Sequence, residues 1–391
     1  MPGSAGELLR ASPVRVEFGA GRIAELGRLT RECGAARVLV VSDRALCAAG
    51  HVERALQALR GAGVAAETFL DVAENPTTQT VERGLERLRE VDRGGAVALI
   101  VGLGGGSVMD CAKAVNLLHR CGGCMADYRG DPAADVLAAR PALLPMILVP
   151  TTAGTGSEAQ SFALISDPQT HMKMACGDRR LPVQGGLRPM IALLDPQLSA
   201  TQPRAVAAAT GLDAIAHAVE TSGCRVRSPQ SREFSRAAWG RLSGNFERAL
   251  SNPADAAAGE AMLLGAHLAG CAIEQSMLGA AHACANPITA HFQVTHGVAV
   301  GVMLPHVVRR NAADAASPHA YADLEPDVDA LCARLEALLR AAGVAPKLSA
   351  HGVTADSLDR LATGAMAQWT AGFNPRPLTS DDFRNLYRAA L

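Results

Sequence analysis

The residues with the clearest chemical signature lie in the second half of the chain. Asp213 and His217 are four positions apart in a segment with helical features, so both side chains face the same side of a helix. Three further imidazoles follow at His282, His291 and His296. A hard carboxylate with several imidazoles suits Zn²⁺ or Fe²⁺. A surface or capping pair is the alternative for Asp213 and His217, and spacing alone does not link them to the later His residues.

Two glycine-rich turns in the first half could bind a nucleotide. Residues 101–107 (VGLGGGS) follow an apolar run and precede a predicted helix, and residues 150–157 (PTTAGTGS) have the same character. Glycine lets the backbone approach a phosphate closely, and a helix N-terminus offers unpaired N–H groups and a positive dipole end. Neither turn has the GxGxxG spacing of the common dinucleotide fold. One such turn could equally be a tight turn, but two of them favour a nucleotide site.

Asp43 stands at a third strand end, just after the apolar run at 38–41. A carboxylate there can accept hydrogen bonds from the adenine-ribose hydroxyls and would repel a 2′-phosphate, which favours NAD over NADP. The alternative is an N-cap role for the next helix, and this role is compatible with cofactor binding.

Alternating strand-like and helix-like segments in the first half could position these residues. Continuous apolar runs are typical of parallel strands buried on both faces, and they occur at 38–41, 96–101, 146–149 and 191–194. We predict a polar helical stretch at 67–72, a helix at 78–91, and an inserted hairpin between Phe162 and Ala175 with Asp167 in its turn. Strand–helix alternation implies right-handed crossovers and a doubly wound parallel sheet.

Strand signals stop after about residue 197. A helix is predicted from Thr201, as its N-cap, to about Thr221, and apolar residues recur at helical spacing from Val328 to Leu339. We therefore predict an α/β domain over residues 1–197 and an all-α domain over residues 198–391.

Composition excludes several classes of protein. The 391 residues, 49% of them hydrophobic, are enough for two to three domains. The net charge of −1 gives no electrostatic footprint for nucleic acid or an anionic membrane. No uncharged apolar run reaches the ~18 residues of a membrane-spanning helix, and the N-terminus lacks the pattern of a secretory signal. We therefore expect a cytoplasmic protein without nucleic-acid or membrane partners.

Two scarce or reactive residue types add detail. Of the 37 basic residues only Lys113, Lys173 and Lys347 are lysines. Because Arg supplies the charge elsewhere in this chain, a retained Lys indicates a position that needs more than a positive charge. The ten Cys are scattered, which predicts reduced thiols and no disulfide framework. Cys121 and Cys124 flank two glycines; a redox or zinc site would need a second pair or a thioredoxin-like setting, so we interpret them as flanking a glycine turn.

Four motifs together resemble a known family. They are GGGSVMDCAK at 104–113, PTTAGTGSE at 150–158, ATGLDAIAHAVE at 209–220 and HGVAVGVMLPH at 296–306. Their order and separations resemble those of the iron-dependent, or group III, alcohol dehydrogenases over nearly the whole chain. The resemblance implies an NAD-binding domain over 1–197, a helical metal-binding domain over 198–391, and one divalent metal ion.

The resemblance also implies roles for particular residues. The metal ligands, and with them the catalytic centre, would be Asp213, His217, His282 and His296. The residues around the cofactor would be Asn75, Gly105, Gly106, Ser107, Thr151, Thr152, Thr155, Lys173 and Asn286, with Gly105, Gly106 and Ser107 at the pyrophosphate. Asp43, inferred above from its place at a strand end, joins this set of predicted cofactor residues.

One position departs from the family pattern. Many members carry a further His four residues after the third ligand, near the nicotinamide, and this chain has Asn286 there. Either Asn286 only orients the nicotinamide, or the proton leaves by another route, for which His291 is a candidate if it is not structural.

The implied function is hydride transfer between NAD(H) and a small alcohol with its aldehyde or ketone, using Fe²⁺, with Zn²⁺ also suited to the ligands. Three alternatives stay open: a metal- and NAD-using lyase of the dehydroquinate-synthase type, an oxo-acid reductase of the maleylacetate-reductase type, and a redox sensor using Cys121 and Cys124. The helical half has no obvious Lys cluster for the polyanionic substrate of such a lyase. The expected assembly is a homodimer or larger homo-oligomer.

Overall fold

The chain forms two compact units in the computed structural model, which describes residues 5–129, 142–169, 173–177, 187–313 and 320–391. One unit, the α/β unit, comprises Ala5–Thr152 and Ser157–Gln202. The other, the helical unit, comprises Ala153–Gly156 and Pro203–Leu391. The division predicted between residues 197 and 198 lies a few residues before Pro203.

Six parallel strands form the sheet of the α/β unit, in the order β1-β8-β5-β4-β2-β3. Two further strands, β6 and β7, form the antiparallel hairpin expected after Phe162. The strands are β1 (Arg15–Phe18), β2 (Arg37–Val41), β3 (Ala65–Phe69), β4 (Leu99–Gly104), β5 (Met146–Pro150), β6 (Phe162–Ser166), β7 (Lys173–Gly177) and β8 (Ile191–Leu194). The predicted α/β fold with a parallel sheet is confirmed.

The helices of this unit cover both faces of the sheet. They are α1 (Ala5–Arg10), α2 (Leu26–Glu32), α3 (Arg44–Ala48), α4 (His51–Gly61), α5 (Thr78–Val91), α6 (Gly106–Cys121) and α7 (Pro196–Ser199). Because side chains alternate along a strand, Val38 and Val40 of β2 join the core with α2 and α4. Leu39 and Val41 join the opposite core with α5 and α6.

One predicted element of this unit is wrong. Residues 67–72, expected to be helical, begin inside β3 (Ala65–Phe69), and the preceding helix is α4. Within the described part of the chain β3 is an edge strand that pairs only with β2, and Phe69 is its only buried residue. An edge strand with half-exposed polar residues lacks the continuous apolar run of its buried neighbours, and this weak pattern led to the error.

The carboxyl ends of β2 and β4 lie side by side at the point where the strand order reverses. From β2 the chain passes to β3 at one edge, whereas β4, β5 and β8 extend in the other direction. In open α/β sheets, ligands bind outside the carboxyl ends of the strands at such a switch point. Asp43 and the turn at 104–107 follow these two strands.

The helical unit contains no strand among its described residues, in agreement with the prediction. Its helices are α8 (Arg204–Gly223), α9 (Pro229–Ser251), α10 (Ala256–Glu274), α11 (Ala280–Phe292), α12 (His296–Ala312), α13 (Val328–Ala341), α14 (Leu358–Met366) and α15 (Ser380–Ala390). α8 is almost wholly buried and packs against α9, α10 and α12. Gly211 allows this closeness, because a Cβ there would lie 2.4 Å from the Phe246 ring.

The start of α8 differs from the prediction. Its N-cap is Pro203, which supplies no side-chain hydrogen bond, and Thr201 instead donates its hydroxyl to the Leu198 carbonyl at 3.1 Å. A residue that precedes proline is disfavoured in the helical region, so the helix cannot extend back through Gln202 to Thr201.

α10 is long and apolar, with a mean hydropathy of 1.4 over its best 18-residue window. It is the one described helix with the length and composition to cross a membrane, although 72% of that window is buried inside the folded chain. Buried core helices often meet the same criteria, so this feature is weak evidence for a membrane span.

All ten Cys lie in the described ranges, and no disulfide joins any of them. Gly122 and Gly123, between Cys121 and Cys124, both have positive φ values of 71° and 70°. Glycine adopts this conformation without steric cost, as expected for a glycine turn.

Candidate metal centre and nucleotide-binding loops

Three helices bring the predicted metal ligands together inside the helical unit. α8 supplies Asp213 and His217 one turn apart, α11 supplies His282, and α12 begins with His296. One ligand atom from each of Asp213, His217 and His282 lies within 4.8 Å of the others, and all three residues are buried. His296 Nε2 lies 3.8 Å from Asp213 Oδ1, so the fourth residue also faces the carboxylate.

The spacing of these atoms fits a single divalent ion. Tetrahedral ligands at about 2.0–2.1 Å from a metal lie roughly 3.4 Å from one another. Asp213 Oδ1 is 3.4 Å from His217 Nε2 and 3.3 Å from His282 Nε2, and the two imidazole nitrogens are 3.1 Å apart. Asp213 Oδ1 is buried and has no hydrogen-bond partner among the described residues. A buried oxygen surrounded by Nε2 atoms is a coherent donor set for Fe²⁺ or Zn²⁺.

Burial and two carboxylates set the electrostatics of the cluster. Burial opposes ionisation of Asp213, but the imidazoles of His217, His282 and His296 hold the pKa of this carboxyl well below its usual range. Burial lowers the pKa of the His217 imidazole. Burial alone would also lower the pKa of His282, but the carboxylates of Glu220 and Asp213 raise it to about 9. Negative charge beside imidazole nitrogens favours a cation.

The close approach of α12 to α8 depends on a glycine. A Cβ at Gly297 would lie 1.9 Å from the Ala209 carbonyl oxygen and 3.2 Å from Asp213 Cβ. Any side chain at this position would push α12, and with it His296, away from α8.

Gly297→Ala should therefore weaken metal binding and destabilise the protein by about 1–3 kcal/mol, the usual cost of overpacking. Bound metal per chain and urea unfolding measure the two effects. Gly240→Ala is the matched control, because a Cβ there meets nothing within 4 Å in the interior of α9. Equal metal content in both variants would contradict the role of Gly297.

His291 does not join the cluster. It lies nine residues after His282 on α11, and nine residues at about 100° each reach the opposite face of a helix. His291 is exposed, and partial burial and the charge of Arg360 lower the pKa of its imidazole. Asn286, one turn after His282, does share its face, and its amide Nδ2 donates to Gln368 Oε1 at 2.9 Å.

Glu220 is a site residue that sequence reasoning did not identify. Its Oε2 is hydrogen-bonded to Nδ1 of His282, and its Oε1 accepts from the Ala281 amide at 2.7 Å. The available signal was its position three residues after His217, which places it on the same face of α8.

The two glycine-rich turns meet at the carboxyl ends of β4 and β5. Gly105 is the N-cap of α6, and Gly106 is the first residue of that helix. A Cβ at Gly105 would lie 3.4 Å from Thr152 Cγ2, and the Thr151 amide donates to the Gly104 carbonyl at 3.0 Å. The hydroxyl oxygen of Thr152 is buried with no hydrogen-bond partner among the described residues. A helix N-terminus next to an unsatisfied hydroxyl fits a phosphate-bearing ligand.

The other predicted cofactor residues are more spread out. Asn75 has a positive φ of 52°, and its backbone N–H donates to Ser107 Oγ at 3.2 Å. Asn75 therefore lies beside the first turn. Asp43 follows β2, and its Oδ1 accepts from the Leu46 amide at 2.8 Å as the N-cap of α3. Lys173 begins β7 and pairs with Ser166 in the hairpin.

Thr155 lies in a short segment, Ala153–Gly156, that belongs to the helical unit, as does Asn286. A Cβ at Gly156 would lie 2.6 Å from Gly270 Cα of α10, and one at Gly154 would lie 2.6 Å from Thr210 Cβ of α8. The segment therefore packs directly on two helices of that unit.

Lys113 explains why a lysine persists in this arginine-rich chain. Its fully buried Nζ donates to the carbonyl oxygen and hydroxyl of Ser157 at 2.7 and 2.8 Å, and to the Phe162 carbonyl at 2.8 Å. Asp110, also on α6, accepts from the Ser157 hydroxyl at 2.6 Å and from the Leu164 amide at 3.0 Å. This network, the Lys113 clamp, ties α6 to the residues that follow the second turn and to β6.

Comparison with known proteins identifies the family. The family model described as iron-containing alcohol dehydrogenase matches residues 13–196, and the model for the C-terminal part of the same family matches residues 207–391. Long-chain-alcohol dehydrogenase 1 of Geobacillus thermodenitrificans is 30% identical, over 97% of this chain and 95% of that protein. NAD-dependent methanol dehydrogenase of Bacillus methanolicus is 28% identical, over 96% of this chain and 97% of that protein.

Solved structures agree. The crystal structure of a 1,3-propanediol oxidoreductase superimposes with a TM-score of 0.88 at 28% identity and covers 97% of this chain and 98% of that one. These comparisons confirm the predicted family. They also confirm the predicted cofactors, because the family is iron-containing and has NAD-dependent members. The chain therefore belongs to the iron-containing alcohol dehydrogenase family and is a metal-dependent alcohol oxidoreductase.

Proposed function

We propose that this protein binds one divalent ion, Fe²⁺ in the first instance, through Asp213, His217, His282 and His296, and uses it with NAD to interconvert a small alcohol and its aldehyde or ketone. The observation that carries the proposal is the convergence of Asp213 Oδ1 and three Nε2 atoms at separations of 3.1–3.8 Å. When bound, the ion supplies Lewis acidity that lowers the pKa of an alcohol, and NAD supplies a hydride acceptor.

We infer that the α/β unit binds the phosphate-bearing part of the cofactor and that the helical unit binds the metal. The turn at 104–107 lies at the switch point of the sheet, and the unsatisfied Thr152 hydroxyl beside Gly105 supports a phosphate there. Thr155, Lys173 and Asn286 complete the proposed cofactor residues. An amide does not titrate near neutral pH, so Asn286 can orient a bound group but cannot take up a proton.

Asp43 is proposed to select NAD. Asp43→Asn should raise the ratio of kcat/KM for NADP⁺ over that for NAD⁺ by about fivefold, since it removes a repulsion on the order of 1 kcal/mol between a carboxylate and a 2′-phosphate. Asn caps helices as well as Asp does, so the unfolding midpoint should not change. Asp43→Ala, which loses the cap as well as the charge, should lower that midpoint. An unchanged cofactor ratio in Asp43→Asn would leave the carboxylate with the capping role alone.

The direct test of function is a screen of alcohols for reduction of NAD⁺ by protein loaded with Fe²⁺ or Zn²⁺. We expect stoichiometric NADH with primary or small secondary alcohols, and none from metal-free protein. An oxo-acid reductase would instead oxidise NADH with an oxo acid and give no NADH with simple alcohols. A lyase of the dehydroquinate-synthase type would produce no net NADH with any substrate, and this result would overturn the proposal.

We infer a cytoplasmic homodimer or larger homo-oligomer that acts on a small molecule. Ten Cys without a disulfide suit a reducing compartment. Among the described strands β1 hydrogen-bonds only to β8, and an edge strand of this kind can pair with a second copy. Size-exclusion chromatography with light scattering measures the mass of the assembly. A monomer across the working concentration range would contradict the inference.

A further inference from the structure

We propose that Glu220 is a positioning residue that fixes the tautomer and orientation of His282, so that Nε2 of this imidazole is presented to the metal. The inference rests on the metal site proposed above. Glu220 is only 5% exposed and lies on α8, three residues after His217. Its carboxylate therefore links the helix that carries two of the ligands to the helix that carries the third.

The tautomer follows from the hydrogen-bonding capacity of the two groups. A carboxylate only accepts hydrogen bonds, so Nδ1 of His282 must carry the proton in its bond to Glu220 Oε2. In a neutral imidazole the other nitrogen then holds a lone pair. That nitrogen, Nε2, is the atom that faces Asp213 Oδ1 at 3.3 Å and His217 Nε2 at 3.1 Å. A carboxylate behind a ligating imidazole is a common means of orienting the ring and raising its basicity.

The second oxygen of Glu220 fixes the backbone that carries His282. Oε1 accepts from the amide of Ala281, in the first turn of α11, and the N-cap Gly279 offers no side chain of its own. The first amides of a helix have no partner within the helix, so Glu220 also satisfies one of these groups. A Cβ at Gly279 would lie 3.2 Å from both Glu220 Oε1 and Asn374 Oδ1, so the acceptors occupy the space around this cap.

Neighbouring amides hold the start of the helix in place. Asn374 Oδ1 accepts from the Ala280 amide at 3.3 Å, and Asn374 Nδ2 donates to Asn311 Oδ1 at 2.8 Å. Asn311 in turn donates to the Tyr321 hydroxyl at 2.8 Å. The side-chain amides of Asn374 and Asn311 therefore fix the backbone at the start of α11. Glu220 accepts from two donors on this fixed backbone, Ala281 N–H and His282 Nδ1–H.

The charges are consistent with this role. Asp213 and Glu220 are two buried carboxylates beside the imidazoles of the cluster, and together they match the charge of one divalent cation. Asp213 contacts the ligand nitrogens directly, whereas Glu220 acts through the far side of His282.

The sharpest variant is Glu220→Gln. Glutamine places a donating NH₂ group where one of the two accepting oxygens of Glu220 lies. If the NH₂ faces Ala281 that hydrogen bond is lost, and if it faces His282 the tautomer reverses and Nε2 becomes protonated. We expect affinity for Zn²⁺ and Co²⁺ to fall by roughly 10–100-fold, and the visible absorption of the Co²⁺-loaded protein to change. Ser222→Ala is the control: it is on the same helix, and its buried hydroxyl has no partner among the described residues. This control should bind both metals as the parent does.

The readouts separate positioning from simple capping. A residue that only capped α11 would lower the unfolding temperature of the metal-free protein but leave the Co²⁺ spectrum and the metal dissociation constants unchanged. If Glu220→Gln does not fold, Glu220→Asp decides, because its shorter side chain cannot reach both donors and should weaken metal binding several-fold. Parent-like affinity and spectrum in the folded variant would overturn this inference. A parent protein that binds neither metal would overturn the proposed metal site instead.

Discussion

Asp213→Asn is expected to leave most of the protein without metal and to reduce alcohol-dependent NADH formation by roughly 10³-fold or more. The substitution keeps the shape of the side chain but removes the negative charge and places an amide opposite three imidazoles. Asp213 Oδ1 lies 3.3–3.8 Å from the Nε2 atoms of His217, His282 and His296, so this oxygen faces all three imidazoles of the cluster. Loss of Lewis-acid stabilisation worth several kcal/mol corresponds to at least this factor in rate.

Metal analysis of the purified protein and initial rates with Fe²⁺ or Zn²⁺ added measure the two effects. Asp92→Asn is a matched control, because Asp92 also faces an imidazole, His119 at 3.1 Å, but lies in the α/β unit. It should keep metal and activity. Full turnover by rigorously metal-free parent protein, or by Asp213→Asn, would contradict the assignment of Asp213.

Lys113→Met is expected to destabilise the protein by about 3–5 kcal/mol, the range observed when one partner of a buried charged pair is removed. Methionine fills much of the same volume but donates no hydrogen bond. The Ser157 and Phe162 carbonyl oxygens would lose their bonds to Nζ, and the Asp110 carboxylate would lose the cation 3.7 Å away. Burial already raises the pKa of the Asp110 carboxyl, so this side chain depends on its partners.

Urea unfolding followed by circular dichroism measures the change in stability. Lys347→Met removes an exposed lysine and should alter stability by less than about 0.5 kcal/mol. If Lys113→Met were as stable as this control, the Lys113 clamp would not contribute to the fold.

The sequence was most informative where chemistry depends on local spacing. Asp213 and His217 share one helix, so a separation of four residues sufficed to pair them. His282 and His296 lie on other helices, and their convergence depends on how α11 and α12 pack against α8, which no short-range pattern encodes. The family resemblance supplied those two residues. For His291, helical periodicity measured from His282 would have indicated the opposite face.

The contacts that the sequence did not predict join residues far apart in the chain. Glu220 meets His282 62 positions later, and Lys113 meets Ser157 44 positions later. Each contact exists only after tertiary packing, so sequence could single out Lys113 by its rarity but not by its partners. The strands β2, β4, β5 and β8 were predictable because both faces are buried, whereas the edge strand β3 was not.

Because of the Ala153–Gly156 segment, the chain passes between its two units three times within residues 5–391, after Thr152, after Gly156 and after Gln202. A gene cut at one point therefore cannot yield two self-sufficient fragments. A fragment ending at Gln202 would carry four residues whose packing partners, among them Gly270 and Thr210, are encoded downstream. The complementary fragment would lack the backbone that lies against these positions. During synthesis from the N-terminus, this short segment is made before α8 and α10. It can therefore reach its final packing only after both helices have been synthesised, which makes this packing a late event in folding.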